Sequence, residues 1–361
     1  MYAWLRQGRA TGDGKATGTR DRASGRRAQK DVTLPVLTDA HARRVTYLRV
    51  SLTDRCNYRC VYCMPEEGVH PTDREDVLTV NEIARIVRVF AGLGVVRVRL
   101  TGGEPTVRKD VVECVAAVAA IPGIRHVVMT SNGHILADLA ARLADAGLTQ
   151  VNVSLDTLDP DRFRRLTVRG DVARVMAGID AARALMPVKI NAVVLRGVND
   201  DEIPDLCEWA WDRAVTPRFI EWMPLSDGVF YQGARVVSAA EIRARVEERC
   251  GPLVHDARSG VVGPARYWRV AGTDHKFGII SAMTEHFCDD CNRVRLTAAG
   301  DLHTCLAYDD ATNLKALVRS GADDEAIHAA ISAAVGIKRK GHGFTLEGAG
   351  APKKHMVVVG G

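Results

Sequence analysis

Six apolar, strand-like runs at residues 47–52, 95–100, 126–130, 150–155, 188–195 and 218–223 alternate with amphipathic segments such as 81–93 and 135–146. Runs of period two separated by stretches of period 3.6 imply β-α units, hence a parallel sheet with helices outside it. The chain is therefore read as α/β, an incomplete (βα)6 TIM-like barrel. Parallel sheets gather their ligands at the carboxyl ends of the strands, and the chemically distinctive residues sit there. Cys56, Cys60 and Cys63 follow the first run, Gly102-Gly103-Glu104-Pro105 the second and Ser131-Asn132-Gly133 the third. Ser154-Leu155-Asp156 follows the fourth, and Glu221-Trp222-Met223-Pro224 the sixth.

The first of these groups has C-x-x-x-C-x-x-C spacing, three thiols and not four. A cubane of four irons takes four thiolates, so three leave one iron open, the condition for a reactive site and not a structural one. Zinc favours paired C-x-x-C hooks and a closed tetrahedron, which the wider first gap does not offer. The chain has nine cysteines and no secretory apolar region, which argues for metal or redox chemistry over a disulfide framework. Cys114, Cys207 and Cys250 lie in apolar, helix-like contexts and read as ordinary buried thiols.

The second group, Cys288, Cys291 and Cys305, lies far downstream. With His303 or His286 near by, a Cys3His zinc site and a three-thiolate iron–sulfur site both fit its spacing. This region departs from the β-α rhythm. Residues 238–250 read as a helix with a Ser238/Glu241 capping box, followed by short strands at 265–270, 276–281, 293–297 and 302–306. Two helices follow at 313–320 and 323–335, then a basic Gly-rich tail ending in Gly360-Gly361. The expected division is a basic extension at 1–37, a partial barrel at 38–250, a C-terminal layer closing the barrel at 251–340, and the tail at 341–361.

Charge narrows the partners. Residues 1–31 hold eight Lys or Arg against three Asp, which accounts for the whole formal charge of +5; the remainder balances 41 basic against 41 acidic residues. No field of the whole protein calls for nucleic acid. The basic segment lacks the apolar content to offset ordering entropy and reads as disordered, though its composition also fits a transit peptide. The apolar stretch at 111–121 is too short to cross a bilayer. A soluble, cytoplasmic protein is expected.

The C-x-x-x-C-x-x-C loop, with Gly102-Gly103-Glu104-Pro105 after the next strand, resembles the radical S-adenosylmethionine superfamily. Within it, the segments 48–56, 288–297 and 301–306 together with the terminal Gly-Gly are similar to the GTP 3′,8-cyclases of molybdenum cofactor biosynthesis. The resemblance covers about residues 38–361 and implies two [4Fe-4S] clusters, one on Cys56, Cys60 and Cys63 and one on Cys288, Cys291 and Cys305. It implies that Tyr62, Gly103, Ser154 and Met223 line the S-adenosylmethionine site. Arg49, Arg99, Thr130, Lys189, Arg218, Arg293 and Arg295 would bind GTP, replacing an absent phosphate-binding loop with guanidinium forks. Arg293 and Arg295 share one face of a strand, where adjacent like charges require an anion. The family often has Lys where this chain has Arg97, and Arg before the Met of the tail where it has His355.

The implied reaction uses an external one-electron reductant to cleave S-adenosylmethionine. The 5′-deoxyadenosyl radical takes the ribose 3′ hydrogen of GTP, and the sugar radical joins carbon 8 of guanine. Reduction and protonation give 3′,8-cyclo-7,8-dihydro-GTP, for hand-off to cyclic pyranopterin monophosphate synthase. Arg293, Arg295, Gly360 and Gly361 are expected to assist the chemistry, and a homodimer is left open. A radical enzyme acting on peptides would need more downstream cysteines; a non-catalytic metal-binding regulator would have no use for the glycine turn at a strand end.

Overall fold

Apolar residues on alternate positions of the strands turn outward to the helices, and the intervening polar ones turn inward. This division decides where the site is. The computed structural model describes residues 36–229, 231–257 and 263–360; the expected basic extension falls almost entirely outside them, as does Gly361. In chain order the elements are β1 (Tyr47–Ser51), α1 (Val80–Gly92), β2 (Arg97–Thr101), α2 (Val111–Ala119), β3 (His126–Ser131), α3 (Leu136–Asp145), β4 (Gln150–Ser154), α4 (Pro160–Thr167), α5 (Val172–Arg183), β5 (Val188–Val194), α6 (Ile203–Trp211) and β6 (Thr216–Glu221). The C-terminal part adds α7 (Ala239–Cys250), β7 (Leu253–His255), β8 (Arg266–Val270), β9 (Lys276–Ile280), β10 (Arg293–Leu296), β11 (Asp301–His303), β12 (Thr312–Asn313), α8 (Leu314–Arg319), α9 (Asp324–Gly336) and α10 (Met356–Val359).

The strands form one 12-stranded sheet in the order β12-β11-β10-β1-β2-β3-β4-β5-β6-β9-β8-β7. Strands β1 to β6 pair in parallel, each with the next, as the β-α rhythm predicts. The C-terminal layer is built into this sheet: β9 pairs in parallel with β6 and β10 in parallel with β1. The chain between β9 and β10 therefore passes from one edge of the partial barrel to the other, along its open side. Cys288 and Cys291 lie on this crossing segment.

The outward residues Leu48, Val50, Val98, Leu100, Met129, Val151, Val153 and Ile190 are all but fully buried, packed in one core with Ile83, Ile86, Phe90 and Leu143 of the helices. The expected Ser238/Glu241 capping box forms on α7, and the structure adds one of Thr79 with Glu82 on α1. Leu37 is already buried, its N–H donating to the Leu93 carbonyl at 3.0 Å. Cys114 and Cys207 are buried core thiols, as their contexts suggest. Among the described residues no helix is long and apolar enough to cross a membrane.

Candidate active site

The inward faces of the strands enclose a cavity of about 450 Å³, within the usual range for ligand sites. Cys56, Tyr62, Gly103, Ser154, Met223 and Cys288 line it, and so does every other predicted site residue among the described residues except Gly360. The triplets stand at opposite ends. Cys56, Cys60 and Cys63 follow the carboxyl end of β1. Cys291 precedes the amino end of β10, and Cys305 follows β11, whose His303 pairs antiparallel with Arg295. One strand length separates them, roughly 15 Å for five residues at about 3.3 Å each.

Cations fill the space between. Register sets Arg295, Arg49 and Arg99 side by side on β10, β1 and β2, with Arg293, Tyr47 and Arg97 in the row nearer the amino ends. Lys189 and Arg218 face inward from β5 and β6. Burial, then Arg293, brings Arg295 down to about 10, and burial, then Arg295, depresses Arg49. Burial alone would raise the Tyr47 phenol, but Arg99 and Arg49 outweigh it and bring it to about 8. Tyr47 also accepts from Arg99 Nε. With its amide oxygen turned to the guanidiniums, Asn152 accepts from Arg99 and Arg218, and Tyr267 accepts from Lys189 at 2.9 Å. Neutral acceptors hold these cations in place without cancelling their charge, so the cavity is built for a polyanion.

The carboxylates that line the cavity, Glu104, Asp156 and Glu221, stand at the strand carboxyl ends with their oxygens already engaged. Glu104 accepts from Asn132 N at 2.6 Å, Thr106 N at 3.0 Å and Ser131 Oγ at 2.8 Å, tying the glycine turn to the loop after β3. Asp156 accepts from Tyr62 Oη at 2.6 Å and Val193 N at 2.8 Å, which fixes the tyrosine between the cysteines. Gly102 and Gly103 are glycines for a reason the sequence did not show. An added Cβ would lie 2.4 Å from the Thr53 carbonyl oxygen on Gly102 and 2.5 Å from that of Arg55 on Gly103, so the turn packs against the segment that leads from β1 into the cysteine loop.

Burial pushes Asp156 up to about 6 from 3.8. The folded chain thus holds a proton that the unfolded chain has lost, and stability falls as pH rises from about 4 through 6. In metal-free protein, Asp156→Asn should match the parent near pH 4 and exceed it by about 2–3 kcal/mol at pH 7.5, measured by urea unfolding. A pH-independent difference would refute this.

Sequence reading missed the supports of the second triplet. Arg43, buried and paired with Asp39 at 2.6 Å, donates to the carbonyls of Cys288 at 2.7 Å and Lys340 at 2.6 Å. Lys338, 2% exposed, donates to the carbonyls of Arg293 at 3.1 Å and of Thr304. An isolated Arg and Lys far from the cysteines in sequence give no signal of this.

The thiols suit a multi-iron group. A cubane ligates its irons separately, one thiolate to each. Burial pushes Cys56 up to about 11 and Cys63 up to about 12, so thiolates there need a metal to stabilise them. Cys291 is held down at about 6: burial raises it, but Arg293 and Lys338 prevail. His303 Nδ1 faces the Asp310 carbonyl at 2.9 Å and Lys354 Nζ at 3.0 Å.

The tail occupies the cavity rim. Val357 and Val359 are buried, and the Gly360 carbonyl accepts from Arg295 Nη1 at 2.8 Å and Arg49 Nη2 at 3.2 Å. Gly360 has φ 73°, and a Cβ on it would lie 2.5 Å from Thr101 Cγ2, so only glycine fits.

Comparison with known proteins agrees with this geometry. The family model of the Radical SAM superfamily matches residues 50–210, and that of Molybdenum Cofactor Synthesis C matches residues 215–344. In fold, the chain is similar to the crystal structure of Streptococcus suis SuiB bound to S-adenosylmethionine, with a TM-score of 0.56 at 17% identity over 81% of this chain and 69% of that one. Sheet, cysteine loop and family match together define a radical S-adenosylmethionine enzyme, which uses that molecule and an iron–sulfur cluster. GTP 3′,8-cyclases of Rhodopseudomonas palustris (strain TIE-1) and Caulobacter vibrioides are 45% and 46% identical to it, over 90% and 91% of this chain and 96% and 94% of theirs. The chain belongs to the GTP 3′,8-cyclase family.

Proposed function

We propose that this chain converts GTP and S-adenosylmethionine into 3′,8-cyclo-7,8-dihydro-GTP, methionine and 5′-deoxyadenosine, the first step of molybdenum cofactor biosynthesis. The observation that carries the reading is one cavity with a cysteine triplet at each end and two rows of cations between. Cys56, Cys60 and Cys63 would hold one [4Fe-4S] cluster, and Cys288, Cys291 and Cys305 a second. When bound, the first supplies the electron that splits S-adenosylmethionine, and the second offers an open iron to the purine.

The chain's own residues place the reactants. Tyr62, Gly103, Ser154 and Met223 shape the end that takes S-adenosylmethionine, with Asp156 and Glu104 fixing the loops. Arg49, Arg99, Lys189, Arg218, Arg293 and Arg295 hold the triphosphate, and Thr130 faces the same space. Neutral Asn152, Tyr47 and Tyr267 keep these side chains apart without competing for the anion. The tail, with Gly360 on Arg49 and Arg295 and Gly361 after it, closes the rim and excludes water. Holding the ribose against the S-adenosylmethionine end, out of water, is the protein's contribution to the rate.

The test is anaerobic preparation, an iron count, and incubation with GTP, S-adenosylmethionine and a strong chemical reductant. Two cubanes and a GTP-derived cyclic product are expected. Zinc at either triplet, or cleavage of S-adenosylmethionine that never consumes GTP, would overturn the reading. Gly360→Val should lower cyclisation by about 100-fold or more, the usual cost of a misplacement near 1 Å, with iron content unchanged. Turnover at the parent rate would show that the tail has no part.

A further inference from the structure

A second cavity, about 610 Å³, lies on the outer side of the cysteine loop, and the proposed reaction makes no use of it. Tyr62 and Trp222 line both this groove and the central cavity, so the Cys60–Cys63 segment is the partition between them. Val61, inside that segment, is 45% exposed in the groove, and its N–H donates to the Leu166 carbonyl of α4 at 3.0 Å. An electron arriving from the groove has one loop to cross. Nothing else need pass, because the cleavage chemistry takes place on the far side.

The groove's character restricts its occupant. Its apolar surface continues into Val229, 74% exposed, and its rim carries Arg162, Arg165 and Arg235. Among the described residues no carboxylate lines it. Arg162 is offset by Asp201 and Glu202 at 2.7 and 2.6 Å, whereas Arg165 and Arg235 are exposed and have no carboxylate partner among the described residues. An apolar floor with a cationic rim is complementary to an acidic protein surface. The chain's own first 31 residues are basic and have the wrong sign. The rest balances its charges and offers no comparable acidic excess.

We propose that this groove is the docking site of a small acidic one-electron carrier protein that reduces the cluster at Cys56, Cys60 and Cys63. The inference rests on the functional reading above. In each encounter one electron leaves the carrier's reduced redox group and one is gained by the cluster; no bond, proton or atom crosses the interface. Steering by Arg165 and Arg235 aligns the carrier with the thinnest wall of the site, and Val61 and Val229 supply the dry contact.

The experiment compares the anaerobic, cluster-loaded parent with the double variant Arg165→Glu/Arg235→Glu, using an acidic carrier protein that contains flavin mononucleotide. Direct binding by calorimetry, without GTP or S-adenosylmethionine, should weaken about tenfold or more in the variant, the scale of two reversed charges at such a contact. The parent's affinity should fall with added salt and the variant's should not. Carrier-driven cyclisation should drop in step, through a higher KM for the carrier, while cyclisation driven by a small chemical reductant stays within about twofold of the parent. Equal carrier affinity in the two proteins would overturn the proposal, as would equal loss with both reductants or no measurable binding by the parent. Failure of the parent to cyclise GTP even with the chemical reductant would instead overturn the functional reading, and the binding comparison would still judge the groove.

Discussion

Replacing Cys305 with Ala is expected to leave about four of about eight irons per chain, to preserve reductive cleavage of S-adenosylmethionine, and to lower GTP cyclisation by at least about 100-fold. The separation follows from topology. Cys305 lies beyond β11, near the amino end of β10, whereas Cys56, Cys60 and Cys63 are at the carboxyl end of β1. The first loop has its own anchors: Arg59 N and Val61 N donate to the carbonyls of Thr167 and Leu166 at 2.9 and 3.0 Å, and Gly103 N donates to the Thr53 carbonyl at 2.6 Å. None of these passes through the second triplet. On the proposed function, losing Cys305 would remove the group that orients the purine and leave the radical-generating end assembled. Iron analysis with product chromatography checks both halves. A variant that cyclises GTP at the parent rate, or one that loses all its iron, would contradict this division of labour.

The parts of the fold that were legible in the sequence are those with short-range signals. Six strands with period-two alternation, the capping box at Ser238/Glu241, and glycines at strand ends each declare themselves within a few residues. The cysteine triplets were legible because ligand spacing is local. The route of the C-terminal strands was not. That β9 joins β6 while β10 crosses to β1 depends on pairings between residues more than 200 apart for β1 and β10, and no window of sequence carries such information. The same applies to Arg43 and Lys338. Their role is to donate to main-chain carbonyls of distant segments, and any Arg or Lys would have read as a surface charge. Glu104 was seen as part of a turn, but its function in joining two loops lies in the partners Ser131 and Asn132 that the next strand delivers.

Glu221→Ala should destabilise the metal-free chain by about 3–5 kcal/mol, a large share of the roughly 5–15 kcal/mol that holds a domain together. Its carboxylate is fully buried at the end of β6. It accepts from Ala239 N at 2.8 Å, Met283 N at 2.7 Å, Thr284 N at 2.9 Å and Thr284 Oγ1. Truncation takes the acceptor from Met283 N and Thr284 N and leaves Ala239 N only Thr284 Oγ1 at 3.4 Å; a buried N–H left unpaired costs about 1–3 kcal/mol unless water reaches it. Glu221→Gln retains one acceptor oxygen and should lose less, so denaturant midpoints should rank parent, Gln, Ala; a loss below about 1 kcal/mol in the Ala variant would show that water satisfies these groups. The consequence extends to the site. Met283 and Thr284 open the segment that crosses the barrel's open side and delivers Cys288 and Cys291 to the cavity, while Ala239 begins α7. One carboxylate thus fixes the start of the crossing relative to β6, which leads into Trp222 and Met223. The Ala variant should therefore also take up less iron at the second triplet than at the first, because the first loop hangs on β1 and α4 and does not feel this joint.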